Sequence, residues 1–154
     1  MNFSNWTHWQ DRNKLDNLKY PGIYILSYTQ NNISGGSFNW IKDIIYIGMT
    51  NSKGGLKSRL QQFENTIAGK KGHGGAERVM YKHSNYNTLI SDLYVSVRPF
   101  ECDITSNNVK DLLVMGKVAE FEYICFAEYV KRFKCLPEFN DKKRSPKKIS
   151  KIVI

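Results

Sequence analysis

Three glutamates, Glu120, Glu122 and Glu128, lie inside one apolar segment near the C-terminal end of the chain. A helix turns about 100° per residue. With Val118 at zero, Cys125, Tyr129, Met115 and Phe133 fall between about −20° and +60°. Glu122 falls near +40°, inside this stripe, Glu120 near 200°, opposite it, and Glu128 near −80°, on its edge. A carboxylate in a buried stripe costs several kcal/mol unless it is paired or holds a metal ion. Glu122 therefore requires either an inward-facing arginine or a divalent cation, whereas Glu120 and Glu128 can be left to water. Arg59 poses the converse question. It shares a helical face with Leu56, Leu60 and Phe63 at the i, i+3, i+4, i+7 spacing of an amphipathic helix. Its anion is either Glu122, in a structural ion pair, or a phosphate, which its planar fork suits. Carboxylate, metal ion and guanidinium around a phosphate are what phosphoryl chemistry uses, because negative charge grows on the phosphorus oxygens.

Two tyrosines and a histidine are candidates to handle water. Tyr24 lies in IYILSY and Tyr46 in DIIYIG. Strand tyrosines are mostly packing residues. If these two strands pair, both hydroxyls open on one side, where a phenol can position a water or take its proton once its pKa falls from about 10. Gly48 is expected to let the strand end turn sharply. His73, set in Gly72-His73-Gly74-Gly75, is a candidate proton-transfer group. Lys53 and Lys57 flank Arg59, and Lys70 and Lys71 occupy the glycine-rich connection; each is a candidate phosphate contact or an ordinary surface lysine.

These groups must be carried by a small set of elements. Residues 5–18 read as a short helix with Trp6, Trp9 and Leu15 in phase. Strands are expected at 23–28, 40–47 and 88–98, the first two as a hairpin. Helices are expected at 56–68 and from a Ser106 or Asn107 cap to about residue 134. The order ββαβα describes an α+β domain with a three-stranded, mostly antiparallel sheet flanked by helices. Residues 1–140 form a single domain in this reading, with 141–154 as a basic tail.

Composition narrows the class. The chain has 154 residues, 41% hydrophobic and 13% aromatic, with a net charge of +9, which describes one globular domain. Residues 141–154, DKKRSPKKISKIVI, carry six Lys/Arg against one Asp. Lys142, Lys143, Arg144, Lys147 and Lys148 suit a phosphate backbone, or they form a solvated tail with no specific partner. There is no apolar run long enough for a membrane span and no signal-peptide pattern. Cys102, Cys125 and Cys135 lack zinc-ligand spacing and read as reduced thiols of a cytoplasmic protein.

Gly22-Ile23-Tyr24 and Tyr46-Ile47-Gly48 are verbatim signature tripeptides, followed in order by Leu56-Lys57-Ser58-Arg59-Leu60, a helix with a glutamate, and Leu136-Pro137-Glu138-Phe139-Asn140. Over about residues 20–140 the chain resembles the GIY-YIG nuclease family. Its interval between the tripeptides is longer than the usual hairpin, Met49 stands where many members have lysine, and Phe63 stands where the homing endonucleases have histidine. The resemblance implies a metal-dependent DNA endonuclease, with one Mg²⁺ or Mn²⁺ held by Glu122. It places Tyr24, Tyr46, Arg59 and Asn140 in the site, with Asn140 fixing the helix end or contacting the site. It implies double-stranded DNA as partner, a monomer or homodimer, and no membrane. The near-complete use of the chain by one domain favours a restriction or defence enzyme over a repair or mobile-element nuclease. The competing class is a nucleic-acid-binding module without activity.

Overall fold

The computed structural model of the chain describes residues 1–144. Its centre is a four-stranded antiparallel sheet in the order β1-β4-β2-β3, made of β1 (Thr7–His8), β2 (Gly22–Tyr28), β3 (Ile44–Thr50) and β4 (Leu93–Pro99). The helices are α1 (Gly55–Ile67), α2 (Gly74–Lys82), α3 (Tyr86–Ser91) and α4 (Val109–Phe133). Side chains alternate across the sheet. Tyr24, Leu26 and Tyr46 pack with Leu56, Leu60 and Phe63 of α1 and with Val79 of α2. Ile23, Ile25 and Ile47 pack on the opposite face with Val118, Cys125 and Tyr129 of α4. The helices are thus layered on both faces.

The α+β class and the antiparallel pairing agree with expectation, and the differences have local causes. Residues 5–18 do not form one α-helix. Trp6 and Trp9 are both buried but belong to opposite faces of the sheet, and a helix would place residues three apart on the same side. The segment crosses the sheet edge as β1, a fourth strand, and continues as a 3-10 helix from Trp9 to Lys14. The strand expected at 88–98 starts later. Asn85 accepts the Thr88 amide through its side chain at 3.1 Å and caps α3, so β4 begins at Leu93. The strand expected at 40–47 runs instead from Ile44 to Thr50. The long helix begins one residue later than expected, with Asn108 as cap, its side chain accepting from the Asp111 amide at 2.9 Å.

β3 is an edge strand, and Asn140 closes it. The Asn140 amide donates to the Ile47 carbonyl at 2.8 Å and accepts the Ile47 N–H at 2.8 Å, while the Phe139 N–H donates to the Ile45 carbonyl at 3.0 Å. A side-chain amide here replaces the missing neighbour strand. Asn140 therefore does not fix the end of α4, which stops at Lys134 in the left-handed conformation. It holds the C-terminal segment against the strand that carries Tyr46.

Candidate active site

In the β2–β3 register Tyr24 pairs with Gly48 and Leu26 with Tyr46, so the two tyrosines are diagonal neighbours on the α1 face, with ring centroids 6.0 Å apart. Gly48 lies within β3 and makes no turn, contrary to expectation. Its role is steric. A Cβ there would stand 2.4 Å from the Tyr24 hydroxyl and Cζ. Gly75, at the start of α2, does the same for Tyr46, where a Cβ would fall 2.5 Å from Cζ. Gly48→Ala is expected to cost about 1–3 kcal/mol by overpacking. Adding it to Tyr24→Ala, which removes the ring, should cost far less. Urea unfolding of the cycle measures this, and additive costs would show that the ring is not what the glycine accommodates.

His73 occupies a different position from the one its glycine setting suggests. It is 1% exposed and caps α2, its Nδ1 accepting the Ala76 N–H at 3.2 Å. Burial, with the nearby Arg59 and Arg78 charges, lowers its pKa to about 4, so the ring is neutral at pH 7. With Nδ1 committed as acceptor, the proton is on Nε2, which donates to the Tyr24 hydroxyl oxygen at 2.7 Å. Both ring nitrogens are occupied, leaving no position from which to take a proton from water. The sequence-based expectation of proton transfer gives way to an orienting role. The Tyr24 O–H is left to donate onward, on the side where the Tyr46 ring lies with its centroid 6.0 Å away. A directed chain of donors therefore runs from the α2 backbone through His73 to Tyr24.

The acid response follows from the same geometry. The folded state holds the His73 pKa below its ordinary value of 6.5. The unfolded chain thus binds more protons between pH 6.5 and about 4. Stability from this group is complete above pH 6.5 and declines as pH falls through the window, by at most about 1.4 kcal/mol per unit. His73→Asn keeps a capping oxygen and removes the titration. Urea unfolding across this range should show a shallower acid decline for the variant, and identical slopes would exclude His73 as a cause.

Arg59 is the electrostatic centre of the site. Its charge lowers the pKa of Tyr24, Tyr46, His73 and Glu122, so all four groups lie within its field. Its Nη1 donates to Gln62 at 3.0 Å, while its Nε is buried without a hydrogen-bond partner. The Arg59–Glu122 ion pair, the plain structural alternative, is not formed: no such pair occurs within 4.0 Å among the described residues. Glu122 is half-buried, and burial raises its pKa against the opposing pull of Arg59. A second inward carboxylate, Glu64, makes a useful contrast. It accepts from Trp9 Nε1 at 2.6 Å and from the Tyr86 hydroxyl, with Arg12 beside it, and is fully engaged in structure. Glu122 has no comparable partner among the described residues. Glu120 is exposed and Glu128 pairs with Arg132, as the helix phase requires.

Both phenols have raised pKa values, principally from burial; Tyr24 is fully enclosed and Tyr46 is 9% exposed. Tyr46 is therefore the tyrosine that meets solvent. Arg78, which no motif or spacing marks, also lowers the Tyr46 and His73 pKa values and donates twice to the Phe139 carbonyl, at 3.0 and 2.8 Å. It fastens the Asn140 segment beside the site.

The expected nucleic-acid contacts are dispersed. Lys53, Lys57, Lys70, Lys71, Lys142 and Lys143 are exposed. Lys53 joins Lys19 and Lys110 along a cleft of about 740 Å³ that also contains Glu101 and Asp103. Arg144 is engaged by Asp141 at 2.8 Å and by the Leu136 carbonyl at 2.6 Å, so its guanidinium is part of the fold. Lys147 and Lys148 lie outside the described residues. The three cysteines are free thiols. No helix among the described residues is long and apolar enough to cross a membrane. Comparison with family models, with curated proteins and with solved structures finds no match to this chain.

Proposed function

We propose that the chain is a metal-dependent DNA endonuclease of the GIY-YIG type, hydrolysing phosphodiester bonds. The observation that carries this is that Tyr24 from β2 and Tyr46 from β3, with ring centroids 6.0 Å apart, share the field of Arg59 from α1 with Glu122 from α4, while the buried Arg59 Nε–H has no partner among the described residues. An unpaired buried donor beside an unpaired carboxylate is costly in a finished core, and a phosphate satisfies the first while a cation satisfies the second.

A single carboxylate fits Mg²⁺ or Mn²⁺, which take oxygen ligands and retain several waters. Among the described residues no group of three His, Cys, Asp or Glu offers a protein-only cage, so Glu122 would be the sole protein ligand. When bound, the ion polarises the phosphate and stabilises the leaving oxygen. Arg59 offsets charge on the non-bridging oxygens. Tyr46, kept a neutral phenol by burial, orients the attacking water through its hydroxyl, and the proton of that water passes to solvent. The water oxygen bonds to phosphorus, the bond to the leaving oxygen breaks, and that oxygen is protonated from solvent. The decisive experiment is plasmid incubation in Mg²⁺ or Mn²⁺ against the same mixture with chelator. Metal-dependent cutting supports the assignment; binding without cutting in either metal favours the inactive module. A restriction or defence role, in a cytoplasmic setting, is the biological reading we favour.

DNA affinity should fall steeply with salt, because the net charge is +9 and each neutralised phosphate contributes about −0.9 to the log–log slope. The tail should be trimmed after Arg144, since the Asp141 N–H donates to Pro137 and Arg144 to Leu136. Removing residues 145–154 deletes Lys147, Lys148 and Lys151 and should flatten the slope by up to about three units. Fluorescence anisotropy on a short duplex between about 50 and 200 mM salt measures it; an unchanged slope would remove the tail from the interface.

A further inference from the structure

α4 has two apolar faces. Val118, Cys125 and Tyr129 are buried against the sheet. Roughly 180° away, Val109 is 74% exposed, Leu112 50%, Leu113 63%, Tyr123 74%, Ile124 40% and Val130 37%. Among the described residues the only other exposed large hydrophobic side chain is Met1. A helix apolar on both sides belongs between two layers, and among the described residues this one has a layer on one side only. Gly116 lies in the same outer stripe. A Cβ there would meet nothing within 4 Å, so the fold itself gives no reason for the least favourable helix residue after proline. A smooth site of close backbone approach gives one.

We infer that the outer face of α4 packs against the same face of a second copy of this chain. The charges on the stripe specify that occupant. Lys117 and Glu120 are both exposed and have no partner among the described residues. An antiparallel pairing with its two-fold axis between residues 118 and 119 sets Lys117 opposite Glu120 of the second copy, twice by symmetry. It also sets Leu113 opposite Ile124 and brings Gly116 near Tyr123. Glu122 points roughly 140° away from this stripe, so the candidate active site stays open in each copy, and the inference does not depend on the proposed activity.

Sedimentation equilibrium of the full chain up to about 100 µM should give a mass twice 17.9 kDa. Leu113→Glu and Ile124→Glu should each weaken the dimer by more than about thirtyfold, with the dilute chain unfolding at the parent temperature because both side chains are exposed. Lys117→Glu and Glu120→Lys should each weaken it several-fold, and the two together should restore it, which only a homotypic antiparallel contact does. A monomer throughout the range overturns the inference. So does a dimer indifferent to Leu113→Glu and Ile124→Glu, or one that forms only after residues 145–154 are removed, which would assign the face to that segment.

Discussion

Glu122→Gln is expected to abolish plasmid cleavage in Mg²⁺, while Glu120→Gln and Glu128→Gln cut at close to the parent rate. The three residues share one helix and differ in what surrounds them. Glu120 faces solvent, Glu128 pairs with Arg132, and Glu122 is half-buried beside Arg59 without an ion pair. Glutamine keeps the size of Glu122 and removes the charge, so DNA binding without metal should survive or improve as a repelling carboxylate is lost. Stability has a defined sign. Burial raises the folded-state pKa of Glu122. The folded protein therefore holds the proton more tightly, and stability from this group is lost as pH rises from the unfolded value through the folded one. Above that window the ionised group carries the cost of burial, so Glu122→Gln should melt at or above the parent temperature. A dead Glu120→Gln would place the metal ligand on the opposite face of α4. Activity in all three variants would remove the nuclease assignment.

The second large effect separates the tyrosines. Tyr46→Phe should lose cleavage by roughly 10²-fold or more, the usual size of one preorganised hydrogen bond to the reacting groups, with near-parent melting. Tyr24→Phe should also lose cleavage, but at a structural cost. It leaves the His73 Nε2–H, now bonded to the Tyr24 oxygen at 2.7 Å, buried without an acceptor, a penalty of about 1–3 kcal/mol. Single-turnover cleavage together with urea unfolding distinguishes the two. Full activity in both variants would take the phenols out of the mechanism. Equal stability in both would break the chain of donors from α2.

What the sequence determined by itself is whatever depends on one rigid element. A helix has fixed angular spacing, so the inward phase of Glu122 and the outward phase of Glu120 follow from their separation alone, as does the face that Arg59 shares with Leu56, Leu60 and Phe63. The pairing of the strands around Tyr24 and Tyr46, and the α+β class, follow from the same kind of local pattern. What only the tertiary structure decided depends on which elements come into contact. The steric roles of Gly48 and Gly75 exist because a tyrosine ring from another strand or position crosses each of them. His73 is fixed as a neutral donor because α2 takes its Nδ1 and β2 offers a hydroxyl to its Nε2. Asn140 caps a strand edge that lies 93 positions back along the chain. Trp6 and Trp9 part to opposite faces because the sheet edge runs between them. The outer stripe of α4 could be traced residue by residue in the sequence, but that no other described residue covers it is settled by packing, since periodicity gives the direction of a side chain and only the neighbouring layers determine what lies on it.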